Sequence, residues 1–170
     1  MGGPVGLGLA LRMQEQGAGA VCADVLAALP HWFGFPDSVA DYVESADTHP
    51  TVVATVDGRD CGILTLRVHT PYAAEIVVMG VLPDYHRGGV GRALLGAAET
   101  WLAERDITYL QVKTLSPRSA DEGYAATRAF YFGCGFRPLE EMPDLWGRDS
   151  PALQMIKNVR LLPGRPTTLG

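Results

Sequence analysis

Residues 75–95 carry the densest chemistry in the chain: an apolar run, Ile76-Val77-Val78-Met79-Gly80-Val81-Leu82, then a turn, then His86-Arg87-Gly88-Gly89-Val90-Gly91-Arg92 and a helical pattern. In a strand that feeds a glycine loop into a helix, the first-turn N–H groups have no carbonyl partner, and the aligned peptide dipoles concentrate positive charge there. Such a place binds anions, and phosphate is the expected guest. Two nucleotide motifs fail the spacing. A dinucleotide fingerprint needs a third glycine where Leu94 stands, within the first strand–helix unit. A Walker A loop ends in Gly-Lys-Ser or Gly-Lys-Thr, and Gly91-Arg92-Ala93 does not. A glycine turn with no ligand is the plain alternative.

The elements that must position this loop can be read from periodicity. A first strand is expected over 9–13, followed by the Gly17-Ala18-Gly19 loop and a helix over 22–29 that Pro30 stops. A second helix starts near Pro36-Asp37-Ser38 and closes at His49-Pro50. Residues 51–56 and 61–69 flank Asp57-Gly58-Arg59-Asp60 as a hairpin. After the Pro71-Tyr72 turn, 74–82 makes a third strand. A helix over 90–105 should bury Val90, Leu94, Ala97 or Ala98, and Trp101. A strand over 107–114, a helix over 121–132 ended by Gly133 and Gly135, and last strands at 145–146 and 153–159 complete the order. Residues 1–6 are expected to be flexible, 7–160 to form one domain, and 161–170 to be a loose tail.

Composition narrows the class. At 170 residues, 47% hydrophobic and 19% charged, the chain can bury one core. A net charge of −5 points away from nucleic acid and toward a cationic or neutral substrate. Cys22, Cys61 and Cys134 are odd in number and lack ligand spacing, so neither a disulfide framework nor a metal is expected. His31, His49 and His69 are scattered and read as surface or loop residues. No apolar run is long enough to span a bilayer, and a cytoplasmic protein without membrane contact is expected.

The loop from His86 to Gly91 resembles the Q/R-x-x-G-x-G/A loop of the GNAT N-acetyltransferase superfamily, with His86 where Gln or Arg is typical. A second, later segment, Phe130-Tyr131-Phe132-Gly133-Cys134-Gly135-Phe136, looks like the superfamily's F-Y-x-x-x-G-F segment. The resemblance covers about 7–160 and implies a GNAT fold, an α/β (α+β) arrangement with a mixed, mostly antiparallel sheet of six to seven strands and about four helices. It implies acetyl-CoA as co-substrate and no metal. The amides from Arg87 through Gly88, Gly89, Val90 and Gly91 to Arg92 would hold the pyrophosphate, and the backbone of Met79, Gly80 and Val81 would pair with pantetheine as an added strand. Gly80 would suit a bulge that opens the cleft. Tyr124 stands where the family commonly has Asn, and with Phe130 completes the expected cofactor-binding set.

Roles in catalysis also follow from the resemblance. An alkylamine of pKa about 10.4 is neutral in only about one molecule in a few thousand at pH 7, so a base must take its proton. Glu75, in a segment similar to the one that bears the catalytic glutamate of histone-type members, is the expected base, through a water. Tyr131 resembles the general acid that protonates the departing thiolate. Phe130, Tyr131 and Phe132 cannot all face a cleft, and Phe130 is the expected core member. A backbone N–H near Met79 or Val81 would stabilise the oxyanion. A ping-pong mechanism through Cys134 lacks a partnering base. The acceptor wall is sought among Trp32, Phe33, Phe35, Tyr42, Tyr72, Asp121, Glu122 and Trp146, with Trp32, Phe33, Tyr72 and Trp146 as the chosen contacts. The reading is therefore an N-acetyltransferase that moves acetyl to a primary amine of a small molecule or peptide by direct attack in a ternary complex. Its rivals are an acyl-CoA-binding regulatory module without catalysis, and an acyltransferase using a different acyl group. The sequence leaves the oligomeric state open, and a homodimer is suggested only by analogy with other small enzymes of this kind.

Overall fold

In the computed structural model, which describes residues 8–160, the apolar periods of the sequence become seven strands and four α-helices among the described residues. They are β1 (Leu9–Gln14), α1 (Gly19–Ala27), α2 (Pro36–Thr48), β2 (Thr51–Val56), β3 (Arg59–Thr70), β4 (Ala73–Val81), α3 (Val90–Ala103), β5 (Tyr109–Leu115), α4 (Gly123–Gly133), β6 (Arg137–Met142) and β7 (Ala152–Asn158). The sheet is mostly antiparallel, with strand order β1-β2-β3-β4-β5-β7-β6, the arrangement expected of a GNAT fold. The expectations for 1–6 and 161–170 concern residues outside those described.

The chain divides into two compact units, the first comprising 8–67 and Ile76–Trp101 and the second Val68–Glu75 and 102–160. In the first, α1 lays Cys22, Val25 and Leu26 on Val53, Ile63 and Val78 of the sheet. The entry to α1 needs a glycine: the Gly19 N–H donates to Asp47 Oδ1 at 2.8 Å, and a Cβ there would lie 2.5 Å from the same oxygen. The β2–β3 hairpin turns through Asp57 at φ 50° and Gly58 at φ 80°, the double positive φ that an Asp-Gly turn supplies. Buried between these strands, the Thr51 and Thr65 hydroxyls satisfy each other at 2.9 Å.

Along α3, the buried positions are Val90, Leu94, Leu95, Ala98 and Leu102. Trp101, expected in that stripe, is only half-buried, because its indole Nε1–H reaches out to the Glu15 carboxylate at 3.2 Å.

In the second unit β7 runs antiparallel to both β5 and β6. The expected strand at 145–146 is not one: Leu145 and Trp146 lie in a turn, and the strand is β6. Its Pro138 and paired glutamates hide a strand pattern, and both are tolerated because β6 is the last strand of the sheet, with a register shift between Pro138 and Glu140. The aromatic trio on α4 is also ordered differently from expectation. Tyr131 is the buried member at 7% exposure, Phe130 is half-buried, and Phe132 is 53% exposed. The cause is Phe136, fully buried after the helix end, whose ring meets Tyr131 edge-on at 5.4 Å.

Candidate active site

In the first unit, β4 leads into the glycine loop. After Val81 the chain makes one 3₁₀ turn over Pro83–Tyr85, and the His86 N–H donates to Pro83 O at 3.1 Å. Arg87 (φ 62°) and Gly89 (φ 81°) then take left-handed backbone conformations that aim the chain into α3. The first bond of α3 runs from the Ala93 N–H to Gly89 O at 3.0 Å. The N–H groups of Val90, Gly91 and Arg92 precede it and so have no carbonyl partner within the helix. A Cβ on Gly89 would meet nothing within 4 Å, so glycine answers the backbone angle and leaves the main chain bare for close approach. Arg87 and Arg92 are exposed beside these amides. A phosphate-bearing co-substrate fits this arrangement.

His86 braces the loop. Its Nε2 lies 2.7 Å from Val81 O; a carbonyl can only accept, so the proton sits on Nε2. The imidazole also meets the Trp32 ring at 6.2 Å, which brings one predicted acceptor-wall residue next to the loop. Phe33 packs edge-on against Tyr42 at 5.8 Å, and Phe35 is 78% exposed. Gly80 is buried against α1: a Cβ there would come 3.0 Å from Leu29 Cδ1 and 3.3 Å from Val25 Cγ1. Glycine at 80 therefore lets helix and strand approach. A cavity of about 320 Å³ lies between α1 and the start of β3, lined by Asp24, Arg59, Asp60 and Leu82 among others and by none of the predicted site residues.

The second unit holds the two predicted catalytic residues. Glu75, on β4, is half-buried with its side chain 16% exposed. Its Oε2 accepts a hydrogen bond from Lys113 Nζ on β5 at 2.5 Å and lies 3.8 Å from His69 Nε2 at the end of β3. Among the described residues Oε1 accepts no hydrogen bond. His69 is exposed, in keeping with the surface expectation, but it stands at the end of a strand beside Glu75, which the sequence did not indicate. Lys113 carried no sequence signal at all, because its place opposite Glu75 depends on strand order.

Tyr131 sits near the end of α4. Burial, with a smaller contribution from Cys134, holds its phenol well above the ordinary tyrosine range. Arg128, one turn earlier, donates to Leu115 O at 2.8 Å and ties the helix to β5. Asp121 accepts the Gly123 N–H at 2.9 Å, so it serves the helix start. Tyr124 and Phe130 lie on the same helix and are half-buried, while Glu122 is exposed. Tyr72, 68% exposed, lends its carbonyl to the N–H groups of Thr108 and Tyr109. Trp146 is 46% exposed. Among the described residues no group of three or more His, Cys, Asp or Glu side chains could hold a metal, and no helix is long and apolar enough to cross a membrane.

The sequence matches the family described as Acetyltransferase (GNAT) domain over residues 47–138, more than half of the chain. The protein belongs to the GNAT acetyltransferases and is an acyltransferase enzyme. Solved structures agree in fold. A protein assigned to the GNAT acetyltransferases from Desulfovibrio desulfuricans superposes with a TM-score of 0.75 at 21% identity, covering 89% of this chain and 99% of the other. The ribosomal-protein-S18-alanine N-acetyltransferase of Escherichia coli gives 0.69 at 20% identity, over 92% of this chain and 99% of its own. An aminoglycoside 6'-N-acetyltransferase complexed with coenzyme A gives 0.68 at 19% identity, over 91% and 99%. Among curated proteins none matches this chain in sequence.

Proposed function

We propose that the enzyme transfers the acetyl group of acetyl-CoA to a primary amine of a small molecule or peptide, by direct attack in a ternary complex, and that 7–160 acts as a single catalytic domain. The observation that carries this reading is the entry into α3: three helix-start amides, a bare Gly89 and two flanking arginines form an anion cradle at the end of a strand. A thioester supplies an activated carbonyl and a good leaving group.

Each step has a residue suited to it. The carboxylate of Glu75 takes the amine proton through a water at Oε1, the oxygen left open by its neighbours. The loop amides from Arg87 to Arg92 hold the pyrophosphate, except that of Gly88, which donates to Tyr85 O at 3.3 Å, and the backbone of Met79, Gly80 and Val81 pairs with pantetheine. A backbone N–H near Met79 or Val81 receives the oxyanion. Tyr131 keeps its proton throughout the neutral range and donates to the departing sulfur. Complete transfer to a thiolate costs about 1.4 kcal/mol for every unit by which the phenol's pKa exceeds the thiol's. Tyr131 therefore acts chiefly as a hydrogen-bond donor while the C–S bond breaks. Trp32, Phe33, Tyr72 and Trp146 supply aromatic surface for the acceptor, which a cationic amine would favour.

Thiol release from acetyl-CoA, measured against polyamines, aminoglycosides, amino acids and peptides with free N-termini, tests the reading. Release that depends on an amine supports it. Tight acetyl-CoA binding with no release across the panel would identify a regulatory module instead.

A further inference from the structure

Lysine is scarce in this protein. Of its 14 basic residues other than histidine only Lys113 and Lys157 are lysines, the rest being arginine. One of the two stands in the middle of β5 with its side chain 27% exposed and its ammonium on Glu75 Oε2 at 2.5 Å. Its other surroundings leave it to that task. Gln154 lies opposite Lys113 on β7 but turns its amide to Gln111. His69, 3.8 Å from the same carboxylate oxygen, is beyond hydrogen-bond distance.

We propose that Lys113 is a positioning residue for Glu75: it fixes Oε2 with a single ammonium so that Oε1 stays aimed and open for the proton of the acceptor amine. The choice of lysine is the point. A guanidinium is a planar fork that takes both oxygens of a carboxylate, whereas an ammonium is a point donor that takes one. In a chain that otherwise uses arginine almost throughout, lysine appears where a fork would close the working oxygen. The proposal rests on Glu75 being the base.

A purely structural ion pair and a positioning role part company in Lys113→Arg. Both retain the charge and the fold, so the melting temperature of this variant should stay close to that of the parent. If Lys113 positions Glu75, Lys113→Arg lowers kcat at least tenfold with acetyl-CoA affinity unchanged, and Lys113→Gln does the same. Turnover of a folded Lys113→Arg within twofold of the parent would overturn the inference. Glu75→Gln separates the two claims: it should lose kcat on its own, and adding Lys113→Gln should cost nothing further. A Glu75→Gln enzyme that turns over normally overturns the base assignment, and the inference with it. A readout free of activity is the acetic anhydride labelling of the two lysines, followed by mass spectrometry. Lys113 should be protected in the parent and several-fold more reactive in Glu75→Gln, with Lys157 as the internal reference. Equal reactivity of Lys113 in both proteins would show that the pair does not form, and would overturn the inference.

Discussion

Two glycines give a matched test of the anion cradle. Gly89, at the start of α3, has φ 81°, and Gly58, in the β2–β3 turn, has φ 80°; a Cβ built on either meets nothing within 4 Å. Alanine at either position therefore introduces the same left-handed strain and no clash. That strain is worth about 1–2 kcal/mol, partly offset by the less flexible unfolded chain, for a net loss of about 1 kcal/mol. For a chain of this length about 1 kcal/mol corresponds to a fall of about 2–4 °C in melting temperature. Scanning calorimetry should find Gly89→Ala and Gly58→Ala equally destabilised. Acetyl-CoA affinity, measured by titration calorimetry, should separate them. The Gly89 methyl would stand where phosphate oxygens approach the backbone, and a tenfold weakening, about 1.4 kcal/mol, is the minimum expected. Gly58→Ala should bind as the parent does. Equal affinity for acetyl-CoA in both variants would refute the cradle, because the strain is shared and only the location differs.

Other expectations follow from packing and ionisation. Phe136 is fully buried against Tyr131, and Phe136→Ala should cost about 3–5 kcal/mol, a fall of roughly 6–20 °C in melting temperature by calorimetry. Burial, and to a lesser degree Asp47, pushes the Cys22 thiol up to about 11. Native-state alkylation at pH 8 should therefore spare Cys22 while modifying the half-buried Cys134. The same shift favours the folded state below the ordinary thiol range, and that contribution is lost as pH rises from about 9 to about 11. Melting temperature should fall over that window, less steeply in Cys22→Ala. Arg12 and Asp60 pair on the surface, with side chains 45% and 35% exposed, so Asp60→Asn should change stability by no more than about 1 kcal/mol in a denaturant titration.

The order of elements was legible because each carries its own local signal: Asp57-Gly58 turns the hairpin, Pro30 and Pro36 bound the early helices, and glycines close α4. What escaped was set by neighbours. β6 could not be read through Pro138 and Glu140-Glu141, which only an edge position explains. Tyr131 exceeds Phe130 in burial because Phe136 folds back beneath it, a contact made after the helix has ended. Glu75 was named by the segment it sits in. Its partners His69 and Lys113 come from two other strands, and no local pattern encodes which strands become adjacent.

Tyr131→Phe, which removes one oxygen from a buried ring, is the most direct test of the proton donor assigned to this transfer. With the amine that the thiol-release panel identifies, kcat should drop by about 10²–10⁴ while the dissociation constant for acetyl-CoA stays within twofold. A Tyr131→Phe enzyme with the parent's turnover would remove Tyr131 as the proton donor.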